Sequence, residues 1–180
     1  MSARIPALAT TDAQPKSQEL LGAVQKKLGM TPNLMRTLAH SPAALEGYLA
    51  LSGALAHGAL PAKVREELAL YVGQTNACDY CVAAHSLLGK MAGLQPDQLL
   101  SARRGSDADP LAQAALTLAH QVLETRGEVS DANLAAARSA GLSDAQIAEV
   151  VAHVALNVYT NYFNRLAHTE VDFPKVPLAL

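Results

Sequence analysis

Aromatic residues are scarce in this chain. They make up 4 % of 180 residues, and tryptophan is absent. A core so poor in rings must be filled with aliphatic side chains, and Ala and Leu supply much of the 50 % hydrophobic content. Both residues lose little side-chain freedom in a helix, so the deficit already favours α-structure. Hairpin signals such as Asn-Gly are missing, and no segment alternates apolar and polar residues over a strand's length. No apolar run approaches the roughly 20 residues that a membrane-spanning helix needs. Neither sign of charge dominates: 14 Lys and Arg face 16 Asp and Glu, for a net charge of −2. Without a basic stripe or interleaved aromatics, nucleic-acid binding is excluded as an expectation. Cysteines number only two, too few for a disulfide framework. The stretch from Met1 to Gln18 has no charged segment followed by an apolar one, so it does not read as a secretory signal. The expectation is therefore a cytoplasmic protein, with no membrane or nucleic-acid partner, in a compartment where paired thiols serve chemistry more often than stapling.

What is present is helical punctuation. Residues 1–16 are polar and irregular and read as a flexible arm. Residues 17–170 read as one all-α domain of about eight helices, and residues 171–180, with Pro174 and Pro177, read as an extended tail. Gly29 stops the first helix. Ser41-Pro42, Asp109-Pro110 and Ser143-Asp-Ala-Gln146 are N-terminal signals, the last a capping box. Ile147, Val150, Val151, Val154, Val158 and Tyr162 mark the expected buried stripe of a long last helix. Asn157, Asn161 and Asn164 form a polar ridge on that helix, read as pocket lining or an oligomer contact.

The two cysteines stand together in Cys78-Asp79-Tyr80-Cys81-Val82-Ala83-Ala84-His85. With Cys78 at the edge of a helix, Cys81 lies one turn in and His85 one turn further on the same face. A helix N-terminus carries partial positive charge and favours thiolate over thiol. The imidazole can take or return a proton, and a carboxylate holding it would strengthen the pull. The preceding helix offers Glu66 and Glu67, and spacing alone does not choose between them. Tyr80 reads as a pocket wall or a proton donor. His153 is a further candidate near the thiols, although a core histidine is the simpler reading. Two other readings of the pair stand beside redox chemistry. One is a zinc site using Cys78, Cys81 and His85 with His57, His120 or His153, weakened by the lack of a second cysteine knuckle. The other is an inert bridge.

Glu66 with Cys78-x-x-Cys81-x-x-x-His85, the run Pro61-Ala-Lys-Val-Arg-Glu66-Glu-Leu, and Asn157…Asn161-Tyr-Phe-Asn164 together resemble one family. It is the alkylhydroperoxidase D (AhpD-like) group of the carboxymuconolactone decarboxylase superfamily, in its peroxidase-related subgroup. The resemblance spans roughly residues 30–172. It implies that Glu66 rather than Glu67 is the relay carboxylate, that Cys81 attacks, that Cys78 resolves and that His85 moves the proton. It also implies a thiol-dependent hydroperoxide reductase acting on a small hydroperoxide. No cofactor or metal is implied, but an external dithiol or lipoyl-type reductant is, together with a homo-oligomeric state (dimer, trimer or hexamer). Tyr80 stands where the well-studied branch has a histidine. The family's decarboxylases lack the C-x-x-C pair, so lactone decarboxylation does not carry over. The alternative function is a redox-responsive binding or sensing protein, in which the Cys78–Cys81 disulfide state alters assembly.

Overall fold

The computed structural model describes residues 2–180. Among the described residues there are nine α-helices and no strand, so the chain is all-α. This agrees with the expected all-α domain of about eight helices, and the shortest, Asn33–Leu38, stands by itself between Pro32 and the turn at Ala39.

The helix boundaries follow local chemistry. The first helix, α1 (Pro15–Leu28), begins on a proline and ends at Gly29, whose φ of 73° is left-handed. After α2 (Asn33–Leu38), the Ser41 hydroxyl caps α3 (Pro42–Leu55) by accepting from Ala44 N. Then come α4 (Ala62–Thr75), α5 (Asp79–Met91) and α6 (Pro96–Arg103). The Asp109 carboxylate caps α7 (Pro110–Thr125), and Ser130 caps α8 (Asp131–Ser139). The reciprocal box at Ser143 and Gln146 opens α9 (Asp144–Ala167).

Helix α4 is the hub, packing against α5, α6, α7 and α9. One core joins Val64, Leu68 and Val72 of α4 to Leu116 and Leu118 of α7 and Val150 and Val154 of α9. A second core lies at the other side of α5 and gathers Leu21, Leu34, Leu38 and Leu45 around Cys78, Tyr80 and Cys81. The thiol motif thus sits within a packed cluster and not on a surface loop. The α3–α4 turn is fastened to α9, where Glu149 accepts from Ala59 N at 2.7 Å and Leu60 N at 2.9 Å. A Cβ at Gly58 would lie 2.6 Å from the Glu149 carboxylate, so a side chain there would push Glu149 off these two amides.

Helix α9 buries most of its expected stripe, with Val150 and Val154 in the core and Ile147 and Val158 packed against it, but Val151 and Tyr162 are 45 % and 59 % exposed. The buried face extends instead to His153, Asn157, Thr160, Asn161 and Asn164. Asn157 and Asn164 line a cavity beside the thiols, and Asn161 binds Asn76.

The irregular ends are laid against the body. Arg4 N donates to Ala167 O at 2.8 Å, and Arg36 Nε donates to Leu8 O at 2.7 Å. At the other end, Asn33 N donates to the Asp172 carboxylate at 2.8 Å. Arg103 Nη2 donates to Pro177 O at 2.6 Å, and Gln74 Nε2 to Leu178 O at 3.0 Å.

Candidate active site

The turn between α4 and α5 places the first sulfur. Ala77 takes a left-handed φ of 50°, and Cys78 N reaches back to Gly73 O at 2.9 Å. Only three residues separate the two helices, so Cys78 becomes the N-cap of α5, with its Sγ accepting from Cys81 N at 3.2 Å. The turn is braced from α9 by Arg165 Nη1 on Asn76 O at 2.9 Å and by Asn76 Nδ2 on Asn161 Oδ1 at 3.0 Å.

Cys78 and Cys81 are joined as a disulfide. The two sulfurs differ in access. Cys78 is fully buried at 0 % exposure, and Cys81, at 3 %, lines a cavity of about 320 Å³. Glu66, Tyr80, His85, His153, Asn157 and Asn164 line the same cavity. One face of α5 therefore carries Cys81 and His85 to the opening, while Cys78 lies behind.

Glu66 and His85 are paired: Nδ1 lies 2.7 Å from Glu66 Oε2, both half-buried. Glu67, the alternative carboxylate, points away toward Asp107. It is buried, and burial followed by the Asp107 charge pushes its carboxyl up to about 7. Adjacent positions on α4 are about 100° apart, so Glu66 reaches His85 while Glu67 faces Asp107.

Tyr80 contributes a wall. Its hydroxyl accepts from Leu34 N at 3.1 Å, and its ring meets Phe173 edge-on at 5.5 Å between centroids. Burial pushes its phenol above the ordinary value, with the Asp172 charge adding to the effect, so it stays protonated and tied to α2. Phe173 packs against the core cluster of its own chain. His153 is buried with Nε2 unpartnered, and burial lowers its pKa, which keeps the ring neutral. His120 is far from the thiols in role, hydrogen-bonded through Nδ1 to Tyr71 OH at 2.8 Å. Among the described residues, no group of three His, Cys, Asp or Glu side chains is placed to hold a metal ion.

One site residue escaped sequence reasoning, and another is read there only as part of the Asn ridge. Tyr48 of α3 lines the cavity, and burial raises its phenol pKa. Asn164 donates from Nδ2 to Cys81 Sγ at 3.4 Å. Tyr48 lies outside the motif region and carried no signal. Asn164 belonged to the ridge, but nothing in the spacing separated it from Asn157 and Asn161.

The model of the carboxymuconolactone decarboxylase family matches residues 42–125, which hold Glu66, both cysteines and His85. The AhpD core of an uncharacterized peroxidase-related protein from Ralstonia eutropha JMP134 is similar over the whole fold. It has 26 % identity, covering 94 % of this chain and 92 % of that one, with a TM-score of 0.84. The chain is thus similar to AhpD-like proteins over its whole fold, and to the carboxymuconolactone decarboxylase family over residues 42–125. A peroxidase-related protein from Silicibacter sp. TM1040 shares the AhpD-like fold at 24 % identity, covering 92 % and 91 % with a TM-score of 0.78. So does the debrominase Bmp8, solved with 2,3,4-tribromopyrrole, at 17 % identity, covering 96 % and 93 % with a TM-score of 0.77. At those identities the likeness concerns the fold. No protein of curated function matches the chain.

Proposed function

We propose that this AhpD-like protein is a thiol-dependent hydroperoxide reductase in which Cys81 attacks, Cys78 resolves, and His85 held by Glu66 moves the proton. The observation that carries the reading is a shared cavity. An accessible sulfur, an imidazole and its carboxylate line one space of about 320 Å³, with the second sulfur bonded directly behind. That volume suits a small organic molecule.

In the reduced protein the Cys81 thiolate attacks the distal oxygen of the hydroperoxide. An S–O bond forms and the O–O bond breaks. The departing alkoxide takes a proton from the imidazolium, and Cys81 becomes a sulfenic acid. The Cys78 thiol then gives up its proton as its sulfur attacks the Cys81 sulfur; the S–O bond breaks, and the departing hydroxide takes that proton and leaves as water. The hydroperoxide has gained the two electrons that the dithiol lost.

Reset requires an external dithiol, lipoyl-type in the family precedent. Its thiolate attacks the sulfur that can be reached, Cys81, and Cys78 departs. A leaving thiolate of lower pKa departs faster, and Cys78 sits where the Cys81 N–H and the helix end stabilise it. The reductant's second thiol then releases Cys81 and carries the disulfide away. A homo-oligomer belongs to the same reading. It is supported by an uncovered apolar strip on α9 formed by Val151, Tyr159, Tyr162 and Leu166.

The test is steady hydroperoxide consumption with a dithiol donor, expected in the native chain and lost in Cys81→Ser. Oxidation of one equivalent with no turnover, accompanied by a change in assembly state, would make the pair a sensor instead.

A further inference from the structure

The three asparagines of the α9 ridge are all buried, but their amides are spent differently. Asn157 Nδ2 donates to His153 O within its own helix at 2.8 Å. Asn161 Oδ1 accepts from Asn76 and so braces the α4–α5 turn. Asn161 Nδ2 is buried without a partner, whereas Asn164 Nδ2 meets the Cys81 sulfur at 3.4 Å. Asn164 Oδ1 is buried with no partner, in a residue only 4 % exposed. A buried carbonyl oxygen left unpaired is costly, and native structures keep few of them without a reason. This one borders the cavity that a substrate would enter.

We propose that Asn164 is a catalytic residue that aligns both reactants. Its Nδ2–H donates to the Cys81 thiolate, and its Oδ1 accepts the O–H of the incoming hydroperoxide. The assignment rests on the hydroperoxide-reductase reading and extends it to the approach of the substrate. In a hydroperoxide the oxygen that carries hydrogen is also the oxygen that sulfur must attack. The two ends of one amide are attached to one carbon. Binding the O–H on Oδ1 therefore sets the electrophilic oxygen beside the sulfur held on Nδ2, which is the near-attack arrangement. The opposite amide orientation would turn oxygen lone pairs onto a thiolate and strand a donor, so the hydrogen-bonding pattern selects the orientation described. During the step the S–O bond forms as O–O breaks. The hydrogen on the distal oxygen remains as the sulfenic O–H, and the alkoxide takes its proton from His85. The neutral amide neither gains nor loses a proton.

Two probes separate the two halves of this role in the dithiol-reduced protein. Iodomethane reads the Cys81 thiolate alone, since it carries no hydrogen-bond donor for Oδ1, whereas tert-butyl hydroperoxide reads both. In Asn164→Leu the rate constant with the hydroperoxide should fall roughly tenfold more than that with iodomethane. In the isosteric Asn164→Asp, a carboxylate facing the sulfur should move the ultraviolet thiol titration of Cys81 upward. The aspartate variant decides the matter if the leucine variant fails to fold. Equal losses with both probes would overturn the substrate-aligning half, and an unmoved titration in both variants would overturn the contact with sulfur. If the native dithiol reacts with tert-butyl hydroperoxide no faster than free dithiothreitol, the hydroperoxide reading fails and takes the Oδ1 role with it. The titration then still decides the Nδ2 role.

Discussion

Glu66 Oε2 holds Nδ1 of His85 at 2.7 Å, across the contact between α4 and α5. The imidazole is anchored by one nitrogen, and Nε2 is the nitrogen left for proton exchange. Replacing the carboxylate with an amide keeps the shape and removes the charge that favours imidazolium. Glu66→Gln should therefore raise the titration midpoint of the Cys81 thiol and slow its oxidation by roughly tenfold, within the range of general acid–base effects. Absorbance titration of the thiolate with stopped-flow oxidation measures both. An unmoved midpoint would remove Glu66 from the relay.

The second prediction separates the sulfurs. Cys78 is sealed behind Cys81, so only Cys81 meets the cavity. Cys78→Ser should allow one oxidation event, seen by mass spectrometry as one added oxygen on the peptide containing Cys81, with no recycling by a dithiol of the lipoyl type. Continued turnover at the native rate would show that Cys78 does not resolve.

Much of the fold was legible because caps are local. Ser41, Asp109, Ser130 and Ser143 each hold a helix start through contacts within four residues, and such contacts are written in short sequence windows. The placement of Cys78 at a helix edge was legible for the same reason. What spacing could not supply was facing. Glu66 and Glu67 are neighbours on α4, and the choice depends on which of them α5 and its His85 lie beside. The α9 stripe misled at Val151 and Tyr162, which match the apolar period as well as Val150 and Val154 do but stand exposed. The polar ridge is buried as well, with Asn157 and Asn164 at the cavity beside the thiols. Tyr48 and Phe173 reach the cavity from distant segments, and no local pattern records that.

Glu67 makes stability depend on pH. Its carboxyl is raised from 4.5 to about 7 by burial and by Asp107, with Asp109 adding to the rise and Lys63 opposing it. The folded state holds this proton more tightly than the unfolded state does. The contribution is fully present below the ordinary carboxyl value and is lost as pH rises toward and through about 7. In urea titrations from pH 5 to 8, the native chain should lose stability relative to Glu67→Gln, whose neutral amide carries no such titration. Parallel pH profiles for the two proteins would contradict the assignment.

Ala77 holds a left-handed φ of 50° immediately before the first thiol. The Cβ of an L-residue crowds the following carbonyl there, at a cost of about 1 kcal/mol that glycine avoids. Ala77→Gly should leave the chain equally or slightly more stable, by roughly 0–0.6 kcal/mol after the larger unfolded-state freedom of glycine, about 0.4–1 kcal/mol, is subtracted. Ala77→Val should destabilise it and disturb the Cys78 cap as well. Thermal unfolding with thiol titration in the same variants checks both effects. A glycine variant markedly less stable than the native chain would show that the turn carries no strain.

The tail is held by a cation that has no carboxylate partner. Arg103 is buried, donates from Nε to Gln74 Oε1 at 2.9 Å, and reaches Pro177 O and Leu178 O through Nη2 at 2.6 and 3.2 Å. A few residues earlier the same segment seats Phe173 against Tyr80 on the cavity wall. Hydrogen bonds to charged groups contribute roughly 1.5–3 kcal/mol, and with Gln74 and Leu178 half-buried and Pro177 exposed the lower end applies. Arg103→Ala should therefore release residues beyond Pro174 to limited proteolysis while the helical body keeps its circular dichroism. Because Asp172 still binds Asn33 N, Phe173 should be loosened without being expelled. Cys81 should then alkylate faster with a bulky maleimide than in the native chain, and about equally fast with iodoacetamide. A tail that stays protected in Arg103→Ala would mean that Gln74 and Asp172 suffice to hold it.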